Sequence, residues 1–318
     1  MADQNGGGET ETFIHRRLQK KTKWQDLKEF VWDPHEKKFL SRTWLSWLEI
    51  TIFYIIFYSC LIAFWATCLG LFVLTLDDKV PRYYGKGTII GINPGMGYQP
   101  WLENDPDSTL IYIRTSQPET YRPYVNRLKE FLSKYNNTNN TRACDGPDES
   151  NAQLSVSEAC RFDLSEFEAE CSPEDDYGYA QGTPCVVLTL NRLIGWMPMQ
   201  YPVNSQPAEV GNRYESGSIA IACRGENAAD REHIGEIKYL PKEGLRKKYF
   251  PYRVMDNYHQ PIAFAKFNSI AKGTLVQVEC LAYAYNIIHD AIDRQGLIQF
   301  ELLVDDDDQP AADTASSS

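Results

Sequence analysis

The sequence predicts a single membrane-spanning helix followed by a mainly β outer domain built as an antiparallel sandwich. Three observations carry this. One run, Ile50 to Leu76, contains no Asp, Glu, Lys, Arg or His. Six of the eight cysteines lie beyond that run, together with both Asn-x-Thr sequons of the chain. The last two-thirds of the sequence carries short apolar runs with a period of two, rich in Val, Ile and aromatics and separated by Gly, Pro and Asn, which is the pattern of half-buried strands.

The uncharged run is 27 residues long. At about 1.5 Å per residue it would make a helix of roughly 40 Å. A bilayer's hydrocarbon core is about 30 Å thick, so residues 50–76 span it with tilt. A buried helix of a soluble protein would keep a polar stripe. A cleaved signal peptide would carry a shorter apolar stretch close to its start, so this run reads as a signal-anchor. Arg16, Arg17, Lys20, Lys21, Lys23, Lys28, Lys37, Lys38 and Arg42 precede the span, whereas Asp77 and Asp78 follow it. The positive-inside rule therefore places residues 1–49 in the cytoplasm and the C-terminal part outside, a type II topology. Residues 1–49 hold nine basic and eight acidic side chains, so a total of −11 leaves −12 for the outer part. Such a surface repels nucleic acid. Residues 1–12 are polar, Gly-rich and expected to be disordered, and Phe30, Trp32, Trp44 and Trp47 suit the membrane interface.

Residues 77–105 read as an extracellular stalk, since Val80 to Pro100 is dense in Gly, Pro and Tyr. The outer domain then runs over 106–304. It opens with a strand at Thr109–Thr115, and Tyr124, Leu128, Phe131, Leu132 and Tyr135 follow at helical spacing. Strands are expected at Pro184–Ile194, Ser218–Cys223, Ile262–Asn268, Thr274–Tyr285 and Leu297–Val304. Short strands with turn residues between them, plus one or two helices, suggest an immunoglobulin-like sandwich. Residues 305–318 form an acidic, solvated tail that starts at Asp305 and is expected to be disordered.

Cys60 and Cys68 fall inside the span; Cys144, Cys160, Cys171, Cys185, Cys223 and Cys280 fall outside. An even set suits an oxidising compartment, and the sequons at Asn136 and Asn139 need the same compartment to be glycosylated. No Cys-x-x-Cys spacing occurs and the five histidines are scattered, so neither metal nor cofactor is expected. Six cysteines allow fifteen pairings. Period-two alternation sets Cys223 on one face with Ile219 and Ile221, and Cys280 with Val276 and Val278, so a Cys223–Cys280 bridge could staple two strands.

Several dispersed motifs resemble a known family. They are Phe30-Val31-Trp32, Lys37-Lys38-Phe39-Leu40, Arg42-Thr43, the run from Phe53 to Tyr58, Cys160-Arg161-Phe162, Tyr177-Gly178-Tyr179, and Pro184-Cys185-Val186-Val187-Leu188 through Leu190-Asn191-Arg192-Leu193-Ile194-Gly195-Trp196. In this order, over about residues 30–304, they are similar to the β subunits of the sodium/potassium and proton/potassium pumps. The resemblance implies bridges Cys144–Cys160, Cys171–Cys185 and Cys223–Cys280. It also implies a non-catalytic subunit at the plasma membrane that assembles with and delivers a catalytic α subunit of a P-type pump and tunes its potassium affinity. A small single-span regulatory subunit can join such a complex. Where the family carries Tyr-Tyr-Pro-Tyr-Tyr-Gly-Lys near its α contact, this chain has Tyr249-Phe250-Pro251-Tyr252-Arg253-Val254-Met255, matching the first half.

The span supports this reading on its own terms. Tyr54 and Tyr58 lie one helical turn apart and Trp65 continues that face, with Phe57 alongside and a small-residue ridge at Ser59, Ala63 and Thr67. Tyr58 sits about 12 Å inside the run, where a phenol needs a hydrogen-bond partner from another helix. The resemblance assigns Tyr54 and Tyr58 to the seventh transmembrane helix of α. No Gly-x-x-x-x-Gly-Lys-Ser/Thr loop or Asp-Lys-Thr-Gly is present. Two other readings share this topology: a glycosyltransferase-like ectoenzyme using Asp105-Pro106-Asp107, and an adhesion glycoprotein without a pump.

Overall fold

The computed structural model describes residues 23–33, 37–77, 79–88, 91–105, 107–146, 149–155, 157–167 and 169–305. The disorder expected for residues 1–12 and 306–318 and the basic side chains of residues 16–21 fall outside that set. The chain divides into two units, residues 1–77 and 78–318.

In the first unit a short helix, α1 (Lys23–Val31), leads into a two-residue antiparallel ladder of β1 (Trp32–Asp33) and β2 (Lys38–Phe39). The long helix α2 follows, Trp44–Val73, 30 residues. It starts six residues before the uncharged run and ends three residues short of its close. The early start has a visible cause: the Trp47 indole N–H donates to the Phe39 carbonyl at 2.8 Å and its ring packs on Phe39. No side chain of α2 is buried within the chain. A helix about 45 Å long that is apolar all round and covered by nothing is solvated by lipid or by another protein.

The second unit begins with β3 (Met96–Gln99), inside the stretch expected to be stalk, and β4 (Leu110–Arg114). Helix α3 (Pro118–Ser133) has proline in its first turn, where no N–H is needed, and Glu119 beside the positive end of its dipole. Tyr121, Tyr124, Val125, Leu128 and Leu132 form its buried stripe. A parallel two-residue pair, β5 (Thr141–Arg142) and β6 (Ala159–Cys160), comes next. Then follow β7 (Cys185–Leu190), β8 (Ala220–Gly225), helix α4 (Ala228–His233), β9 (Ile237–Leu240), β10 (Ile262–Phe267), β11 (Leu275–Tyr283) and β12 (Leu297–Asp305).

These strands make two four-stranded sheets, β3-β7-β10-β9 and β4-β12-β11-β8. Their facing side chains interlock: Tyr98 of β3 stacks on Phe300 of β12 at 5.0 Å, and Phe267 of β10 meets the same ring edge-on at 6.1 Å. Within these two sheets every pairing is antiparallel except β12 with β4. That exception departs from the expected sandwich and has a topological reason. The two strands stand at opposite ends of the domain's sequence, so no hairpin forces them to run in opposition.

The disulfides join Cys144–Cys160, Cys171–Cys185 and Cys223–Cys280. Cys223 and Cys280 are direct cross-strand partners of β8 and β11. Asp305, expected to open the acidic tail, instead ends β12 and pairs with Arg114 at 2.9 Å.

Candidate partner-binding site

On α2, one shallow groove of the helix surface is lined by Trp47, Ile50, Thr51, Tyr54, Ile55, Tyr58, Ser59 and Ile62. The spacing of three and four residues puts them on one face. The Tyr54 and Tyr58 rings stack at 5.8 Å, so the two phenols stand as a pair. Both are about half exposed, and neither hydroxyl has a hydrogen-bond partner among the described residues. The two threonine hydroxyls nearby are satisfied locally, Thr51 on the Trp47 carbonyl and Thr67 on the Ala63 carbonyl. The polar groups of this face without a partner among the described residues are the two phenols and the Ser59 hydroxyl. Phe57 belongs to a neighbouring stack with Phe53 at 6.0 Å and does not line the groove. Trp65 is exposed two turns beyond Tyr58 and extends the face past the groove's end.

The outer segment is a different case. Tyr249, Phe250 and Pro251 are buried within the domain, which corrects their expected role as surface contacts; Tyr252 alone is partly exposed. The Tyr249 ring packs on Phe162 at 5.0 Å and Phe250 on Trp196 at 5.7 Å. Burial pushes the Tyr249 and Tyr258 phenols well above their ordinary range, so both stay neutral. Tyr252 lies against Tyr258 at 4.9 Å, and the Arg192 guanidinium lies 5.7 Å from the centre of the Tyr252 ring. The stretch after Tyr252, where the family resemblance stops, carries structure of its own. Arg253 donates to the carbonyls of Asn151 and Leu154, and Met255 packs with Ala159 and Tyr258.

Sequence reasoning missed one keystone here. Asn151 is fully buried, donates to the Tyr249 carbonyl at 2.7 Å and accepts from the Cys160 N–H at 2.6 Å. A single Asn in a polar stretch offers no periodic signal that would reveal it.

Asn136 closes a single 3-10 turn after α3, and Asn139 follows in the loop; both are exposed. The loop between them is fastened by Asn257, which accepts from Asn137 at 3.3 Å and donates to the Asn139 carbonyl at 3.0 Å. Asp105 belongs to a turn closed by the Ser108 N–H on its carbonyl at 3.2 Å.

A family model described as "Sodium / potassium ATPase beta chain" matches residues 17–300. The chain is 50% identical over 295 residues to a probable sodium/potassium-transporting ATPase subunit beta-3 of Caenorhabditis briggsae, covering 92% of this chain and 90% of that protein. It is 32% identical to sodium/potassium-transporting ATPase subunit beta-2 of Drosophila melanogaster, over 92% of this chain and 95% of the relative. Subunit beta-1 of Tetronarce californica is also 32% identical, over 87% of this chain and 95% of the relative. An accessory helix with two phenols awaiting partners, a disulfide-braced β sandwich and these relatives agree: the chain belongs to the sodium/potassium ATPase beta chain family, the non-catalytic accessory subunits of that pump.

Proposed function

We propose that this chain crosses the plasma membrane once, N-terminus inside, and binds the catalytic α subunit of a sodium/potassium pump through the Tyr54–Tyr58 face of α2. The observation that carries this reading is the stacked pair of phenols on a helix with no other cover. In hydrocarbon a hydroxyl without a partner is costly, and a neighbouring helix is the available source of one. Trp65 extends that contact and Phe57 flanks it. Outside the membrane Tyr252, flanked by Arg192, is the partly exposed member of the Tyr249–Tyr252 run and the one of the four suited to meet α. Tyr249, Phe250 and Pro251 shape the segment from within. The remaining sides of α2 face lipid or a small single-span regulatory subunit. Binding to inserted α stabilises it by mass action, and unequal binding to its two cation-bound forms biases potassium affinity.

Replacing Tyr54 and Tyr58 together by Leu tests this. At roughly 0.6–1 kcal/mol for each of two interhelical hydrogen bonds, recovery of α in mild detergent should fall about eight- to thirty-fold. Insertion and glycosylation should not change. Unaltered recovery would remove both tyrosines from the interface. Mass spectrometry of the co-purified large subunit distinguishes a sodium pump partner from a proton pump, and its absence would favour adhesion.

A further inference from the structure

We infer that the cavity beside α3 is the seat of the first sugars of an N-linked glycan carried by Asn136 itself. The inference deepens the proposed outward placement of this domain and rests on it. The cavity measures about 300 Å³, and Asn136 is one of its lining residues. Its floor is aromatic and aliphatic: Leu132, Phe167, Tyr177 and Phe264. Its rim is polar, where Lys129 pairs with Asp176 at 3.5 Å.

Three features make a covalently tethered sugar the fitting occupant. The volume is at the small end of the roughly 300–1,000 Å³ typical of small-molecule sites, enough for a sugar or two and too small for a helix. A pyranose offers an apolar C–H face and an N-acetyl methyl to aromatic rings while its hydroxyls seek polar groups, and this cavity supplies both. The Tyr177 side chain is largely buried, its phenol pushed up to about 12 by desolvation and hence a neutral donor, while its hydroxyl keeps solvent access and has no partner among the described residues. The Asn136 side chain likewise has none, so its amide nitrogen is free for attachment. Asn139 carries the other sequon but does not line the cavity, so its glycan serves as an internal control.

The test uses the full chain co-expressed with its pump partner in cells that glycosylate. Thr138→Ala removes the Asn136 sequon without touching Asn136, and Asn139→Gln removes the other. Each should raise gel mobility by one glycan. Under native conditions a glycan amidase should release the Asn136 sugar several-fold more slowly than the Asn139 sugar. Thr138→Ala should lower the melting midpoint of the outer domain by a few degrees and Asn139→Gln should not. Tyr177→Phe should reduce the protection of the Asn136 sugar and should add nothing to Thr138→Ala. A glycosylated Asn136 released as fast as Asn139, with unchanged melting, would overturn the seat while leaving the outward placement standing. Absence of any mobility change in both variants would overturn the placement, and the seat with it.

Discussion

At Gly178 the backbone lies at φ +79°, and a Cβ there would sit 2.1 Å from the Thr183 carbonyl oxygen. Its N-terminal neighbours Asp176 and Tyr177 also have positive φ, so the turn that delivers Tyr179 into the core depends on this glycine. Gly178→Ala should cost about 2–3 kcal/mol, read as a lower thermal midpoint with the fold retained. His259 is a second residue-scale case. It is buried against Tyr135 at 5.1 Å, its Nδ1 has no partner among the described residues, and desolvation holds its pKa below the ordinary value. A lowered folded pKa means that the unfolded chain binds the proton more readily. Stability is therefore complete above about pH 6.5 and is lost as pH falls below it toward the folded value. His259→Gln should flatten this acid-side loss in melts recorded from pH 7.5 to 5; an unchanged slope would assign it to other groups.

At the scale of elements, the three disulfides should not count equally. They close loops with sequence separations of 16, 14 and 57. Loop-closure entropy gives about 3 kcal/mol for the two short loops and about 4 kcal/mol for Cys223–Cys280. Removing that pair as Cys223→Ala/Cys280→Ala should lower the unfolding midpoint more than removing either of the others. The strands they join show where sequence patterns suffice. β10, β11 and β12 match their expected ranges within about two residues, and β7 is found inside its expected range but stops four residues short of Ile194, because apolar runs of six to nine residues are a strong strand signal while their ends are not. β3 and β9 have four residues each, too few to establish a period, and β3 lies among the Gly and Pro that suggested a stalk. Helix α1 escaped notice for a related reason: its apolar stripe of Trp24, Leu27 and Val31 runs over only nine residues, too short to stand out among the surrounding charges.

At the scale of the molecule, all three disulfides and the large core lie within residues 78–318. That unit, secreted behind a cleavable signal, should fold alone, melt cooperatively and lose several degrees of midpoint in reductant; circular dichroism checks each point. Residues 1–77 made alone should require detergent or lipid, because α2 buries none of its side chains within the chain.

The candidate site divides along the same line. That Tyr54 and Tyr58 stand together on one helix face was legible because residues four apart in a helix share a face, whatever the rest of the chain does. The burial of Tyr249, Phe250 and Pro251 was not, because an aromatic run looks the same in sequence whether it meets solvent or Phe162 and Trp196. The sequence by itself determined the long apolar helix and the strands of the outer domain with a long apolar run, since each follows from the solvation of a local run. Only the tertiary structure decided the parallel pairing of β12 with β4, the cavity that gathers Asn136 and Tyr177, and the place of Asn151 beneath Tyr249. These depend on contacts between residues far apart along the chain, and no local pattern encodes which distant surface a side chain will meet.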